Sequence, residues 1–160
     1  METSQLIARR TVRRDVPGIH ALIDGIYRDY DCVLDAVRDD TNLLAPGEYA
    51  RARGGEFWVV ERGGEIVATV AVKLLPGDAA ELKTLYVHKS LRRQGWGRRL
   101  SEMVIEYARA QGRKRLILWS DTRFTDAHRL YLNMGFRQLD GARDLQDSNN
   151  SWEYGFERAI

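Results

Sequence analysis

The sequence predicts a mixed α/β domain with a mostly antiparallel central sheet of about six or seven strands and helices on both faces. Two apolar runs of strand length, residues 56–62 and 65–75, follow each other across a glycine pair, as in an antiparallel hairpin. Residues 82–120 instead read strand, loop, helix and strand, a crossover that makes its two strands parallel neighbours. Because 160 residues with 44% hydrophobic content can bury one substantial core, we expect residues 1–160 to form a single domain.

The first third of the chain predicts one strand and one amphipathic helix. Leu6 to Arg13 has the composition of a strand. Val16 to Tyr30 is predicted to be a helix because Pro17 lies in its first turn and apolar residues share one face, namely Ile19, Leu22, Ile23 and Ile26. An acidic, irregular passage, 29–48, follows without a periodic signal, and Pro46-Gly47 near its end suggests another short helix.

Turn signals and apolar runs alternate through the rest of the chain. Gly63-Gly64 and Pro76-Gly77-Asp78 separate three consecutive antiparallel strands, the third of which begins at Glu81. A central helix follows, with apolar residues at helical spacing from Leu100 to Ala108. The remaining predicted elements are a strand at Arg115–Ser120, a helix at Thr125–Met134 capped by Gly135, a strand at Phe136–Leu139, a polar loop at 141–151 and a last strand at Trp152–Arg158.

The overall composition argues against several classes of function. A net charge of +2 is close to balance and gives no reason to expect a nucleic-acid partner. Cys32 is the single cysteine, so no intrachain disulfide is possible and we expect a reducing, cytoplasmic setting. No segment approaches the roughly 20 apolar residues of a membrane helix, and the N-terminal apolar run is too short for a signal peptide, so no membrane partner is expected. The histidines are isolated from one another, and we therefore expect no metal site.

Residues 92–97, Arg-Arg-Gln-Gly-Trp-Gly, lie between a predicted strand and the central helix and have the features of an anion-binding turn. Gly95 and Gly97 lack a Cβ, so the backbone can approach a ligand closely. The helix begins there with unpaired amide groups, which bind anions and phosphate above all. Backbone binding needs no particular side chain between the glycines, so Trp96 is expected to be free to vary. Leu100 stands where a dinucleotide-binding turn would have its third glycine, and no Gly-Lys-Ser/Thr follows as a nucleotide triphosphatase would require.

This turn resembles the Arg/Gln-x-x-Gly-x-Gly/Ala signature of the GNAT superfamily of acyl-CoA-dependent N-acetyltransferases, matched here by Arg92, Gly95 and Gly97. A second motif, Ala127-x-x-x-Tyr131-x-x-x-Gly135-Phe136, resembles the family's helix that carries a tyrosine and ends at glycine. The chain departs from the commonest form of the first motif at Arg93, where a glycine often stands. With two motifs in the right order, the resemblance implies that the two crossover strands splay apart around the pantetheine arm.

The resemblance also implies which residues hold the donor, acetyl-CoA, without a metal ion. The backbone of the first crossover strand, at Leu85 and Val87, is expected to pair with pantetheine. In the family the connection between the first two helices helps to form the acceptor site, which here falls on the acidic passage. The start of the central helix is expected to hold the pyrophosphate, together with the residues around it, namely Arg92, Arg93, Gln94, Gly95, Gly97 and Arg98.

Acetyl transfer from a thioester to an amine needs an acid for the leaving thiolate and a base for the ammonium form of the acceptor. Tyr131 matches the family's acid, and a phenol with a pKa of about 10 remains protonated at neutral pH. Glu81 is the candidate base, because it opens the strand on the acceptor side and alternation places it on the same face as the following odd-numbered residues of that strand. His128 and Asp121 are reserve candidates for the base.

The predicted function is transfer of an acetyl group from acetyl-CoA to a primary amine by direct attack in a ternary complex. A small-molecule amine is the expected acceptor, because the carboxylates of residues 29–48 suit a cation and the chain shows no tail or extra domain. Two alternatives stay open: a protein or peptide acetyltransferase acting on lysine or N-terminal amines, and a non-catalytic acyl-CoA-binding module on the same fold. The late strands, 136–139 and 152–158, are candidates for pairing across a homodimer.

Overall fold

The computed structural model describes residues 4–160, and every predicted helix and strand has a counterpart in it. Within this range, no helix combines the length and the apolar character needed to cross a membrane. The elements in chain order are β1 (Leu6–Arg10), α1 (Val16–Arg28), α2 (Pro46–Arg51), β2 (Glu56–Arg62), β3 (Glu65–Leu74), β4 (Ala79–Val87), α3 (Trp96–Ala110), β5 (Arg115–Asp121), α4 (Thr125–Asn133), β6 (Arg137–Gln138), β7 (Arg143–Asp144) and β8 (Trp152–Ala159).

In the part of the chain that the structure describes, eight strands form one sheet in the order β1-β2-β3-β4-β5-β8-β6, and β7 pairs with β8 beside that path. Neighbouring strands are antiparallel except β4 and β5, which are joined by α3 and run parallel. The mostly antiparallel sheet and its parallel crossover are thereby confirmed. The count is eight rather than six or seven because Arg143–Asp144, within the predicted loop, pairs with Trp152 and Glu153. A two-residue strand is too short to show a period-two pattern.

The sheet carries a hydrophobic core on each face, as predicted from helices on both sides. α3 and α4 cover one face, where Leu100 and Phe156 are fully buried; we call this the α3 core. α1 and α2 cover the other face, where Ile19 is fully buried and Phe57 nearly so; we call this the α1 core. Removal of these apolar side chains from water is the main force that holds the layers together.

β4 and β5 separate part of the way along their length. Their parallel pairing runs from Ala79 beside Arg115 to Leu82 beside Leu118 and then stops. β4 nevertheless continues to Val87 and stays paired with β3, so its other edge has free backbone groups along the opening. The free edge of a strand can pair with another extended group. The splay that the family resemblance implies is therefore present in the fold.

A β-bulge in β4 lies beside this opening. Two residues of β4, Thr84 and Leu85, stand opposite one residue of β3, Val70. Thr84 has a φ of 54°, in the left-handed region that β-branched residues rarely adopt. The buried Thr69 hydroxyl donates a hydrogen bond to the Thr84 carbonyl oxygen at 2.8 Å, which stabilises this conformation. The extra residue bends the strand where the two crossover strands part.

The bulge reverses the alternation of side chains along β4. Before it, Leu82 lies in the α3 core, and Glu81 therefore faces the α1 side of the sheet. After it, Leu85 and Val87 pack against the α3 core, whereas Tyr86 packs against the α1 core. The expectation that Glu81 shares a face with Leu85 and Val87 is wrong, because one inserted residue shifts a period-two pattern by one position.

Candidate active site

A cavity of about 190 Å³ lies at the opening between β4 and β5. Its walls come from separate parts of the chain: the second half of β4, the end of β5, the end of α1, residues 32–43, α4 and residues 143–153. Glu81 and Tyr131, the two predicted catalytic residues, both line this cavity. The tertiary structure therefore places a carboxylate and a phenol at one site, as acid and base catalysis requires.

Tyr131 is both a core residue and a cavity residue. Its side chain is 4% exposed, and its ring centroid lies 5.7 Å from that of Phe136 and 5.6 Å from that of Phe156. Its hydroxyl group has no hydrogen-bond partner among residues 4–160, although the side chain lines the cavity. Burial raises the pKa of Tyr131 well above its usual value. The phenol thus keeps its proton at neutral pH and has it free for a ligand.

Glu81 lies in the cavity wall and is paired with the ammonium group of Lys83. Lys83 Nζ donates to Glu81 Oε2 at 3.3 Å, and the Glu81 side chain is only 13% exposed. Lys83 lines the same cavity. The Glu81 carboxylate therefore already accepts a hydrogen bond from a primary ammonium group, which is the chemical group that an amine acceptor would bring.

Asp40 is a further ionisable group in the cavity, and sequence reasoning did not single it out. It is half-buried and lines the cavity, and within residues 4–160 its carboxylate has neither a hydrogen bond nor an ion pair. Burial and, secondarily, the negative charges of Asp39 and Asp147 raise the pKa of Asp40 to about 6. Many carboxylates stand in the acidic passage, so the sequence held no signal that would separate Asp40 from the others.

Aromatic rings form one side of the cavity. The ring centroids of Tyr27 and Tyr86 are 5.9 Å apart, edge to face, and the two hydroxyl groups are 3.2 Å apart. The Phe124 ring packs edge to face against Tyr30 at 4.9 Å and against Tyr86 at 6.3 Å. All four side chains line the cavity. They come from distant parts of the chain, so no local spacing in the sequence could have indicated this cluster.

Residues 145–151, which we call the strap, form part of the cavity wall at Leu145, Asp147, Asn149 and Ser151. They belong to the predicted polar loop, and a role for them was not expected. The Arg123 guanidinium donates to the Asn149 carbonyl oxygen at 2.6 Å, and the Ser148 hydroxyl donates to the Asp39 carboxylate. The first contact joins the strap to the loop before α4 and the second joins it to the acidic passage. The strap and the acidic passage both contribute residues to the cavity wall.

The turn at residues 92–97 presents unpaired amides at the start of α3. Gly95, which precedes the helix, has a φ of 79°, and its carbonyl accepts the first helical bond from the Arg99 amide at 3.0 Å. The amides of residues 96–98 therefore have no partner within the helix. This arrangement suits an anion. The predicted side chains around it are exposed, namely Arg92, Arg93, Gln94 and Arg98.

Two residues of this turn have packing roles that the sequence did not reveal. Trp96 is 8% exposed and belongs to the α3 core, with the Arg99 guanidinium 4.5 Å from its ring centroid. The expectation that Trp96 is free to vary is therefore wrong. A Cβ on Gly97 would lie 2.9 Å from Leu130 Cδ2 of α4, so close packing of the two helices favours glycine here whether or not a ligand approaches.

The reserve candidates for the base are engaged in local bonds. His128 Nε2 lies 2.9 Å from the Asp121 carbonyl oxygen and 3.2 Å from Ser120 Oγ, and burial lowers the pKa of His128. Asp121 lines the cavity, but its carboxylate accepts a hydrogen bond from the Arg123 amide at 2.9 Å. Across residues 4–160, no cluster of His, Cys, Asp and Glu side chains has an arrangement that could hold a metal ion.

Known proteins resemble this chain in sequence. Residues 22–136 match the family described as the Acetyltransferase (GNAT) family. The chain is 30% identical over 141 residues to a protein named Uncharacterized N-acetyltransferase YjgM from Escherichia coli (strain K12), covering 85% of this chain and 84% of that protein. It is also 30% identical over 115 residues to N-acetylaspartate synthetase from Danio rerio, covering 71% of this chain but 39% of that protein.

A solved structure resembles the fold as a whole. An acetyltransferase of the GNAT family from Staphylococcus aureus Mu50 has a TM-score of 0.84 to this chain, at 21% identity, over 97% of this chain and 99% of that chain. At this identity the likeness concerns the fold, whereas the family match concerns the sequence and spans well over half of it. The chain therefore belongs to the acetyltransferase (GNAT) family.

Proposed function

We propose that the protein transfers an acetyl group from acetyl-CoA to a primary amine, by direct attack of the amine on the thioester within a ternary complex. The observation that carries the proposal is the opening between β4 and β5, where Tyr131 and Glu81 line one cavity. The free edge of β4 runs from this cavity, and the turn at residues 92–97 follows it in the chain. A single molecule that has an extended arm and a phosphate group could pair its arm with the free edge of β4 and place its phosphate at the turn.

The donor is proposed to lie along this path. The amides of pantetheine pair with the free edge of β4 at Leu85 and Val87, which is possible because β5 has separated from that edge. The pyrophosphate rests on the unpaired amides at the start of α3. The residues assigned to it are those of the turn and the first helical positions, namely Arg92, Arg93, Gln94, Gly95, Gly97 and Arg98.

The chemistry assigned to the cavity is a single acyl transfer. Glu81 accepts a proton from the ammonium form of the acceptor, directly or through water. The amine then attacks the thioester carbonyl carbon, a C–N bond forms, the C–S bond breaks, and Tyr131 donates its proton to the CoA thiolate. The second proton that the acceptor nitrogen loses as the amide forms restores the Tyr131 phenol, directly or through water. Burial raises the pKa of Tyr131, and desolvation in the same cavity would also raise that of the CoA thiol. The phenol therefore still carries its proton when the thiolate leaves.

A small-molecule amine is the acceptor that we favour. The strap and the acidic passage cover the acceptor side, and the cavity of about 190 Å³ has carboxylates in its wall. A lysine or N-terminal amine of a protein or peptide is the alternative acceptor, and it would have to reach the cavity past the strap. An acyl-CoA-binding module without turnover is less well supported, because Tyr131 keeps an unpartnered hydroxyl at the cavity and Glu81 lies at the same site.

The proposal extends to the setting of the protein. A cytoplasmic location is supported by Cys32, the single cysteine of the sequence.

A homodimer through the β8 side of the sheet is supported by Trp152 and Leu145, which are 49% and 42% exposed near that edge. Light scattering after size exclusion should show a dimer for the wild type and a monomer for Trp152→Ser; a wild-type monomer would refute the dimer.

The decisive experiment follows thiol release from acetyl-CoA with a panel of primary amines, and measures CoA binding by calorimetry in parallel. Tyr131→Phe should lower kcat by about a hundredfold or more, the range for loss of a general acid, while CoA binds with little change. Tyr107→Phe is the matched control, because the Tyr107 hydroxyl donates to the Gly54 carbonyl oxygen at 2.7 Å and not to the cavity. Absence of CoA binding would overturn the whole assignment.

The base is tested separately. Glu81→Gln keeps the size of the side chain but cannot accept a proton at neutral pH, so kcat should fall by about a hundredfold, whereas acetyl-CoA binding should persist. With the variant, activity should recover partly at high pH, where more of the acceptor is already unprotonated. An unchanged kcat for Glu81→Gln would remove Glu81 from the mechanism and leave the donor site intact.

A further inference from the structure

One half of the cavity wall combines aromatic rings with negative charge. Tyr27, Tyr30, Tyr86 and Phe124 form a connected cluster of rings on the α1 side, and each is only half-buried. The face of an aromatic ring attracts a cation, and several rings around one point form a site for alkylammonium groups. The rings also offer apolar surface to the methylene groups that carry such a cation.

The charges of the cavity wall are unbalanced in the same direction. Five carboxylates line the cavity against two basic side chains, Lys83 and Arg143. Each of these basic side chains forms an ion pair with one of the five carboxylates: Lys83 with Glu81 at 3.3 Å, and Arg143 with Glu153 at 2.7 Å. The remaining carboxylates that line the cavity are those of Asp40, Asp121 and Asp147.

Asp40 is the carboxylate among these that is open to a ligand. The Asp121 carboxylate accepts a hydrogen bond from the Arg123 amide at 2.9 Å, and Asp147 accepts one from the Ser151 amide at 2.7 Å. Asp40 has no such partner among residues 4–160, and its charge acts on both Tyr27 and Tyr86, raising the pKa of each phenol in addition to burial. Asp40 and the four rings also line the same cavity.

The hydroxyl of Tyr131, in the wall of the same cavity, is also available to a ligand. Tyr131 is more than nine-tenths buried and lines the cavity, and its hydroxyl has no hydrogen-bond partner in the described residues. A hydroxyl that makes no bond within the protein, on a residue that lines a cavity, is available to bond water or a ligand that enters it. The cavity wall thus contains Tyr131 and Glu81, the proposed reacting groups, and also Asp40 and the rings, which suit a cation.

We propose that the acceptor carries two cationic amines, one that is acetylated near Tyr131 and Glu81 and one that is held by Asp40 and the ring cluster of Tyr27, Tyr30, Tyr86 and Phe124. This inference rests on the proposed acetyltransferase function and names its substrate class as aliphatic diamines and polyamines. A monoamine leaves the Asp40 charge without a partner. An amino acid of the same length places a carboxylate beside Asp40, where the two negative charges repel each other.

The test uses matched amines that differ in their far end alone: cadaverine, pentylamine and δ-aminovalerate, with putrescine, butylamine and γ-aminobutyrate as the shorter set. In thiol-release assays with acetyl-CoA, the diamines should have kcat/KM values about tenfold or more above those of the monoamines, since a partly desolvated cation–π contact and an ion pair each contribute to binding. The amino acids should be the poorest acceptors of each set. Equal values for diamine and monoamine, or a preference for the amino acids, would overturn the inference while leaving the acetyltransferase function in place.

Two variants assign the effect to Asp40. Asp40→Asn should bring the ratio of diamine to monoamine kcat/KM close to one, because the amide has no charge to offer the far amine. Asp126→Asn is the matched control and should leave the ratio unchanged, since Asp126 lies on α4, pairs with Arg129 and is 81% exposed. A ratio that Asp40→Asn does not alter would contradict the assignment of Asp40.

A binding measurement keeps the inference testable without turnover. Calorimetry on the protein saturated with CoA should show tighter binding of cadaverine than of pentylamine, by about tenfold, and loss of that difference in Asp40→Asn. Equal affinities would overturn the inference even if the enzyme were active on another amine. Failure of the proposed function has a different signature, namely no binding of CoA itself.

Discussion

The Asn149 side chain bonds the backbone of Val33 in both directions. Its amide group donates to the Val33 carbonyl oxygen at 2.9 Å, and its own carbonyl accepts from the Val33 amide at 3.0 Å. This pair of bonds joins the strap to the acidic passage, two segments that lie far apart in sequence and have no regular structure at these positions. The part of the cavity wall that these two segments form, which we propose to be the acceptor side, is therefore held together by polar contacts between loops.

Asn149→Ala should loosen the acceptor side and leave the donor side unchanged. Loss of two partly exposed hydrogen bonds should lower the free energy of unfolding by about 1 to 2 kcal/mol. KM for the acceptor should rise about threefold to tenfold, because the wall that includes Asp147 is no longer held in place, whereas the Kd of acetyl-CoA stays the same. Asn133→Ala, at an exposed position at the end of α4, is the control for loss of an amide side chain. Equal acceptor KM values in both variants would show that the strap does not shape the site.

Arg93→Gly should have opposite effects on stability and on donor binding: the protein should become more stable, and its affinity for acetyl-CoA should fall. Arg93 has a φ of 62°, a conformation that costs a residue with a side chain roughly 1 to 2 kcal/mol and costs glycine little. The variant should therefore be more stable by about 0.5 to 1 kcal/mol, after the greater freedom of glycine in the unfolded chain is allowed for. Its affinity for acetyl-CoA should fall about threefold to fivefold, because a cation beside the pyrophosphate is lost.

Arg93→Lys is the matched partner of this variant. It keeps both the charge and the unfavourable φ, so it should retain affinity for acetyl-CoA without a gain in stability. Urea unfolding and calorimetry with acetyl-CoA measure the two effects independently. If Arg93→Gly binds acetyl-CoA as tightly as the wild type, Arg93 does not contact the donor.

Gly97→Ala tests whether this glycine serves helix packing as well as the donor. The added methyl group would meet Leu130 Cδ2 at 2.9 Å, so the half-buried Leu130 side chain must move, at an expected cost of about 0.5 to 1.5 kcal/mol in stability. In a Leu130→Ala background the same substitution should cost much less, and a double-mutant cycle by urea unfolding measures the coupling. Gly95→Ala is the contrasting case: no atom lies near its Cβ, but its φ of 79° penalises alanine in either background. Zero coupling between Gly97 and Leu130 would contradict the packing argument.

Asp40→Asn should raise stability at neutral pH. In the folded protein the pKa of Asp40 is raised from its ordinary value of 3.8 to about 6, mainly by burial. Below about pH 4 the carboxyl is protonated in both folded and unfolded chains and has no effect. As pH rises toward 6 the unfolded chain releases the proton first, so folding loses stability, and the loss is complete above the folded pKa.

The expected gain in Asp40→Asn is therefore absent near pH 4 and reaches about 1 kcal/mol above pH 7, with allowance for solvent screening. The charged groups that act on Asp40 are Asp35, Asp39 and Asp147, which disfavour its ionised form, and Lys83, which favours it. Thermal unfolding across this pH range measures the effect, as a rise of about 2 to 4 °C in Tm at the higher pH. A gain that is equally large near pH 4 would show that the substitution acts through packing and not through the charge.

Much of the fold follows from local signals in the sequence. The glycine pair at residues 63–64 predicted the hairpin of β2 and β3, and both strands end within one residue of their predicted bounds. The crossover from β4 through α3 to β5 was predicted from periodicity and is present. Hydrophobic period and turn chemistry act between near neighbours, and that is why they can be detected in one chain without an alignment.

Sequence motifs mark only part of the candidate site. Tyr131 and the turn at residues 92–97 stand in recognisable patterns, so the sequence pointed to them as candidates for catalysis and for donor binding. It did not indicate that Thr84 forms a bulge, and alternation therefore placed Glu81 on the wrong side relative to Leu85 and Val87. A bulge depends on pairing with the neighbouring strand, and that pairing is not encoded in the spacing within β4.

By itself, then, the sequence determined the kind of domain, its crossover and the motifs of the family to which it belongs. Tertiary structure decided which groups meet in the cavity: Asp40 from the acidic passage, Phe124 from the loop before α4 and Asn149 from the strap. These residues lie on irregular segments, where no period distinguishes one polar or aromatic side chain from the next. Their positions are set by long-range contacts such as the bonds between Asn149 and Val33, and such contacts exist only once the chain is folded.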